Sequence, residues 1–384
     1  MRNHAQHLIM AGLSLAAWLA VPRASLRAQT PPPKPPPDVL VLNDDEKLVG
    51  HFLHSNGGDV RFKSDMLGEV TIPWSKVKEL RAAGPYTVVG KDIKLGRKSD
   101  TSKLPKGSLE ATAKQITVTG APGAAPQTVP VADAAHVIES TEFEQQVMHS
   151  PGLGEDWAGS IHAGAALVEA TQQSRSFTGG FALARAVPME SWLDPRDRTL
   201  VNFNFADGTV KQPGAAEIKT DIIHGGLERD EYFSTHRMYG FVQATLDHNY
   251  SQGLDLGSQV GGGIGWTVVK SAANVLDAKA SMTYLHQSFN GPGSVDQSLA
   301  ASNFAEAFTH KFTHGVVLAQ TVSATPTWNM TNDWLANASA TLTVPAYKRL
   351  NFAMGLIDSY LNNPPPSFRK NSFQMSLGLT YTVQ

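Results

Sequence analysis

Apolar and polar positions alternate strictly along Asn371–Gln384. Phe373, Met375, Leu377, Leu379, Tyr381 and Val383 share one parity, and Ser372, Gln374, Ser376, Gly378, Thr380 and Thr382 share the other. Successive side chains of a strand point to opposite faces. The pattern therefore predicts a strand with one wholly apolar face and one small, uncharged face. A half-buried strand of a soluble sandwich ordinarily carries Lys, Glu or Arg on its wet side. A greasy face backed by a small polar one is what a transmembrane β-barrel strand requires, with lipid outside and lumen inside.

The same texture extends back to about residue 156. Segments there run to lengths that can span a bilayer as tilted strands, about 9–11 residues or more. They number about twelve: 156–171, 174–188, 198–212, 217–233, 237–250, 259–272, 276–290, 299–314, 316–328, 333–346, 350–361 and 371–383. In 333–346, Trp334, Ala336, Ala338, Ala340, Leu342 and Val344 alternate with Leu335, Asn337, Ser339, Thr341 and Thr343. In 276–290, Ala278, Ala280, Met282 and Tyr284 alternate with Asp277, Lys279, Ser281 and Thr283. Segments 217–233 and 299–314 are mixed; Phe304, Glu306, Phe308, His310 and Phe312 fall on one parity of the latter, so its faces stay unassigned. The membrane-facing set read from these patterns is Phe373, Met375, Leu377, Leu379, Tyr381, Val383, Trp334 and Leu342. An even strand count returns both ends of the domain to one side. The connections that follow the second and fourth strands are longer and more charged than short turns on that side would be.

Residues 38–146 read differently. Val39–Leu42, Lys47–His54, Asp59–Lys63 and Glu69–Pro73 are short β-rich runs separated by turn residues. The pattern repeats: Thr71-Ile72-Pro73 lines up with Thr128-Val129-Pro130, 57 residues on. Two similar halves, about 38–82 and 100–140, are expected to pack together as a small SH3- or Sm-like β unit, with Trp74 in its core. The predicted fold class is all-β: an antiparallel transmembrane β-barrel of about twelve strands over 156–384, preceded by this small N-terminal domain.

Composition adds an address. Residues 1–28 read as a secretory signal peptide, with Arg2 at the start and an apolar run from Leu8 to Val21. Residues 29–37 form a Pro-rich linker. Charged residues are 17% of the chain, formal net charge is -2, and there is no cysteine. That balance gives no field for nucleic acid. The missing thiols exclude thiolate metal sites, a cysteine nucleophile and disulfides, and suit an oxidising compartment.

Chemistry-bearing motifs are sparse. Gly261-Gly262-Gly263-Ile264-Gly265 lacks the spacing of a dinucleotide fingerprint, and glycines in a strand more often mark a bend or close packing. His310 and His314 have metal spacing only on a helix. Glu228, Asp230 and Glu231 read as a solvated acidic turn, with an acidic cluster as the alternative. No Gly-x-Ser-x-Gly or His-Glu-x-x-His motif is present. No catalytic, cofactor-binding or metal residue is assigned, and no cofactor is expected.

At Leu356-Ile-Asp358-Ser-Tyr360-Leu-Asn-Asn363-Pro364-Pro365, followed by Arg369 to Phe373, the chain resembles the YdiY-like family of salt-induced outer-membrane β-barrel proteins, a domain of unknown function. Gly262 to Trp266 and Phe304 to Phe308 carry the same resemblance, which covers about 156–384. It implies an outer-membrane address, with Asp358, Tyr360, Asn363, Pro364 and Pro365 as an extracellular-loop motif. It implies no activity. Val383-Gln384 stand where the family ends on an aromatic residue.

The expected role is structural, stress-related or narrow-pore, in the outer membrane of a Gram-negative cell, with 38–146 in the periplasm. The expected partners are outer-membrane lipid, the barrel-assembly machinery, and peptidoglycan or a periplasmic protein bound through 38–146, with no nucleic acid. The alternatives are an outer-membrane hydrolase on the same barrel and a secreted, soluble β-sandwich binding protein. The parity argument predicts that Leu377→Arg or Leu379→Arg blocks membrane assembly, because a lipid-facing Arg costs about 2–4 kcal/mol near the midplane. Ser376→Arg is milder. Membrane fractionation of the three variants checks this, and equal effects on both parities count against a barrel.

Overall fold

The computed structural model describes residues 36–384, apart from 94–99, 122, 150, 170–172, 189–192, 194, 213, 215, 234–236, 291–293 and 384. The signal-peptide reading over 1–28 and nearly all of the linker lie outside the described residues.

The first body is a curled sheet made from two copies of one unit. The first copy holds β1 (Asp38–Leu42), β2 (Lys47–Ser55), β3 (Asp59–Ser64), β4 (Gly68–Pro73) and the start of β5 (Val77–Gly90). The second holds the rest of β5, then β6 (Lys106–Ala111), β7 (Gln115–Thr119), β8 (Gln127–Pro130) and β9 (Ala134–Glu139). Strand order is β4-β3-β2-β1-β5-β6-β7-β8, with β9 on β5 and β2. Pro73 and Pro130 each lead into a 3-10 turn, Trp74–Lys76 and Val131–Asp133, with the φ near −60° that the proline ring imposes. The copies are interleaved. Leu80–Ala82 of the first pairs with β6 of the second, and His54–Ser55 of the first pairs with β9 of the second.

One apolar core serves both copies. Phe52, Val60, Phe62, Trp74, Val77 and Leu80 meet their counterparts Leu109, Ile116, Val118, Val131, Ala134 and Val137. Neither copy has enough apolar surface to stand alone. Trp74 lies in this core as expected, and its indole N–H donates to Ser55 Oγ at 2.8 Å. Asp38 ties the sheet together: its carboxylate accepts from the Phe52 and Ala83 amides and the Tyr86 hydroxyl, at 2.8, 3.1 and 3.2 Å.

The second body is a closed ring of twelve antiparallel strands. They are β10 (Ala158–Glu169), β11 (Gln173–Val187), β12 (Asp197–Lys211), β13 (Ile218–Tyr232), β14 (Met238–Asn249), β15 (Leu254–Lys270), β16 (Asn274–Phe289), β17 (Gln297–Lys311), β18 (Val317–Thr325), β19 (Leu335–Tyr347), β20 (Leu350–Leu361) and β21 (Asn371–Val383). The ring closes where Gly159–Ala163 of β10 pairs with Leu379–Val383 of β21. We call the end where β10 begins the base, and the opposite end the mouth.

Sequence and structure agree on the count and nearly on the bounds. β15 starts five residues before the expected 259, because Gly253, at φ +70°, ends the preceding turn and lets pairing begin at once. β18 stops at Thr325, so Trp328 sits in the connection 326–334 rather than in a strand. The long connection after the second strand has a packing reason. Its Leu193 is buried with Val89, Leu104, Ile138, Phe143 and Val147 of the first body, and Arg196 Nη1 donates to the Val147 carbonyl at 2.9 Å.

His54, on β2, generates a test. Burial, then Arg61, then His136 push its pKa down from 6.5 to about 4. The fold therefore prefers the neutral ring. Its contribution to stability is complete above pH 6.5 and is lost as pH falls from 6.5 towards 4, where the unfolded chain takes up the proton first. Hydrogen exchange in β2 and β9, corrected for its intrinsic pH dependence, is expected to accelerate across that window, and His54→Gln is expected to flatten the response.

Candidate functional site

The registers assign both faces of every barrel strand. On β21, Phe373, Met375, Leu377, Leu379 and Tyr381 are 45–63% exposed, while Ser372 and Thr380 are 6% and 5% exposed. The apolar parity is therefore the outer one. Phe203, Phe205, Ile223, Leu227, Val242, Leu246, Val260, Ile264 and Met282 continue it round the ring. Leu342 and Trp334 are exposed on the same side, and Val383 is half-buried. The mixed parity of β17 is now assigned: Phe304, Glu306, Phe308 and His310 point outward, and Glu306 accepts from Gln320 of β18 at 3.2 Å. Asp358 and Tyr360 lie inside β20 rather than in the loop after it, with Tyr360 stacked on Trp334 at 4.8 Å between ring centroids. Asn363, Pro364 and Pro365 are in the mouth connection 362–370.

Among the described residues, charges concentrate in the lumen toward the base. Arg198 on β12 reaches across it. Its Nε donates to Asp230 Oδ2 of β13 at 2.7 Å, and its Nη2 donates to Asp277 Oδ2 of β16 at 3.1 Å. Lys279 pairs with Glu228 beside it. Aromatic rings wall the group in. The guanidinium carbon lies 5.3 Å from the Tyr239 ring centre and 5.9 Å from that of Tyr232, and Lys279 Nζ lies 5.5 Å from that of Phe241. Glu228 and Asp230 are thus lumen residues within β13. The expected solvated turn is corrected by the strand's length, which carries the segment to Tyr232. Glu231 faces the other way and joins Arg229 and Asp197 on the outer rim of the base.

The glycine run on β15 makes room for those rings. Gly265, Gly263 and Gly261 pair with Tyr239, Phe241 and Gln243. A Cβ on Gly265 would fall 2.2 Å from Tyr239 Cζ. Close packing, not phosphate binding, explains the run.

The mouth is bridged. The 3-10 turn Tyr250–Gln252 joins the fifth and sixth barrel strands, yet it bonds to the eleventh and twelfth, on the opposite wall. Gln252 is 4% exposed, and its Nε2 donates to the carbonyls of Ser359 and Lys370, each at 2.9 Å. The Arg369 amide donates to the Ser251 carbonyl at 3.2 Å, and Phe368 covers Gly253. Leu254, Phe289, Leu335 and Leu361 pack together beneath, and Leu285, Leu299 and Ala301 extend that layer downward through Leu335.

His224 Nδ1 and Asp247 Oδ1 lie 2.6 Å apart higher in the lumen. Among the described residues that imidazole has Asp247 as its partner. His310 and His314 do not converge: His310 bonds Asn274 from a strand, and His314 is in the turn beyond it. Among the described residues no three or more His, Asp or Glu side chains form a metal-holding group.

The family described as a protein of unknown function, DUF481, matches residues 161–383, and the chain belongs to it. The match spans the barrel and leaves the first body outside. No curated protein matches the chain. Among solved structures, the β domain of the Bordetella autotransporter BrkA aligns at 10% identity over 59% of this chain and 98% of that one, with a TM-score of 0.30. The translocator domain of NalP from Neisseria meningitidis aligns at 11% identity over 59% and 87%, with a TM-score of 0.31. BamA from Haemophilus ducreyi aligns at 11% identity over 85% and 75%, with a TM-score of 0.22. Likeness at these scores carries no argument about function.

The contact between Gly265 and Tyr239 predicts a specific rescue. Gly265→Ala overpacks the lumen by about 1–3 kcal/mol, and its folded yield is expected to fall, read as the heat-modifiable fraction on a gel. Adding Tyr239→Ala removes the clash and is expected to recover most of that loss, a coupling that independent sites would not show.

Proposed function

We propose that the protein is an outer-membrane β-barrel with its base toward the periplasm, serving a structural or stress-related role in the envelope with its lumen shut at the mouth. The observation that carries the closed-lumen reading is the Tyr250–Gln252 turn, bonded across the ring over an apolar layer. Membrane residence is supported by a mostly apolar outer face, broken on β17 by Glu306 and His310, and by a ring closed between its first and last strands, as a sheet spanning hydrocarbon requires. On this reading Phe373, Met375, Leu377, Leu379, Tyr381, Val383, Trp334 and Leu342 meet lipid. Trp157, Trp266, Tyr347 and Tyr381 lie toward the base, and Trp334 and Tyr360 toward the mouth, as interfacial girdles would.

The first body is then a periplasmic contact module for peptidoglycan or a periplasmic protein, coupled to the barrel through Leu193. The barrel-assembly machinery is the partner that inserts the ring. A narrow pore is the second reading. It is favoured by the lumen wall from β18 to β21, which presents Thr321, Ser339, Thr341, Gln374 and Ser376 and no charge at these positions.

Planar-bilayer recording of the refolded full chain separates the two. The closed-lumen reading expects a silent wild type, and openings when Gln252→Ala and Ser251→Gly loosen the bridge. Steady conductance in the wild type would support the pore and sink the closed mouth. Recovery of the native protein from the soluble periplasm would overturn the outer-membrane reading itself.

A further inference from the structure

We infer that the lumen holds one monovalent cation, of the sodium or potassium class, against Asp230, Asp277 and Tyr239. The basal cluster contains three carboxylates, Glu228, Asp230 and Asp277, and two fixed cations, Arg198 and Lys279. Glu228 and Lys279 neutralise each other. Asp230 and Asp277 share Arg198, and among the described residues neither has another ion pair. One negative charge is left over. Asp230 is 0% and Asp277 4% exposed, so bulk solvent does not screen it. An uncompensated charge in such a place is expensive.

The unsatisfied oxygens belong to residues grouped around Arg198. Asp230 and Asp277 each spend one carboxylate oxygen on Arg198, and the other, Oδ1 in both, is buried without a hydrogen-bond partner. Tyr239 is fully buried, and its hydroxyl is also without a partner. Its ring borders Arg198, and it lies within electrostatic reach of both aspartates. Water could complete hydrogen bonds here, but water does not balance charge. A hard monovalent cation does both, because carboxylate and phenol oxygens are the ligands it takes. A divalent ion would overcompensate a residual charge of one, and would ask for more carboxylate ligands than converge here.

The test uses the full chain refolded in nonionic detergent. Thermal unfolding is followed in sodium or potassium chloride, and in N-methylglucamine chloride at equal ionic strength, whose cation is too bulky for the cluster. Wild type is expected to gain about 5 °C, saturably, from the small cation alone. Sodium-23 NMR lines are expected to broaden with wild type and sharpen on adding potassium. Asp277→Asn removes the odd charge, so it is expected to lose both responses. Equal midpoints in sodium, potassium and N-methylglucamine would overturn the inference and leave a proton as the neutralising charge. An unaltered response in Asp277→Asn would move the ion elsewhere and overturn it too. If that variant fails to fold, the wild-type midpoints and the sodium line width still decide.

Discussion

The ring depends on the pairing of its first strand with its last. Gly159–Ala163 and Leu379–Val383 are more than two hundred residues apart, and only their ladder removes the two open edges that a twelve-strand sheet would otherwise carry. An open edge in hydrocarbon leaves backbone donors and acceptors without partners, at several kcal/mol each. Closure also sets the side-chain faces. Because the period of a strand is two, a slip of one residue at this seam would turn the apolar parity of β21 inward. The alternation over 371–383 therefore specifies both where the strand ends up and which way it faces.

Closure creates a second problem, which the lumen solves locally. Inward side chains must fill the ring without straining it. On the β14–β15 wall they do so by setting glycines against rings, so that Tyr239 and Phe241 occupy space that any Cβ on Gly265 would take. Toward the base the filler is charged. A buried pair of this kind adds little net stability, but losing one partner leaves the other stranded. That makes Arg198, which spans from β12 to β16, a brace between strands that are not neighbours in the ring. At the mouth the filler is apolar, and Gln252 completes it with two bonds to the far wall.

What was legible in the sequence follows from period and locality. The strands were readable because an apolar outer face and a small polar lumen face write a two-residue period over a dozen positions. The doubled first body was readable because Thr71-Ile72-Pro73 and Thr128-Val129-Pro130 preserve the same turn chemistry. Faces could not be read in β17, where Glu306 and His310 sit outward among phenylalanines, so polarity and parity disagree. The basal cluster was missed because its members lie on β12, β13, β14 and β16, and no spacing along the chain links Arg198 to Asp277. A signal did exist: Asp277 and Lys279 fall on the polar parity of their strand, as Glu228 and Asp230 do on theirs. The mouth bridge left no such trace, since it joins Gln252 to a carbonyl more than a hundred residues away.

The absence of cysteine from the chain makes the seam of the closed ring directly measurable. Ile161 and Tyr381 face each other across β10 and β21. Replacing both with cysteine and oxidising the refolded full chain is predicted to give an intramolecular disulfide, seen as a shifted band after boiling without reductant. No crosslink, or crosslinking no better than that of Ile161→Cys with Thr382→Cys, one residue out of register, would contradict the closure.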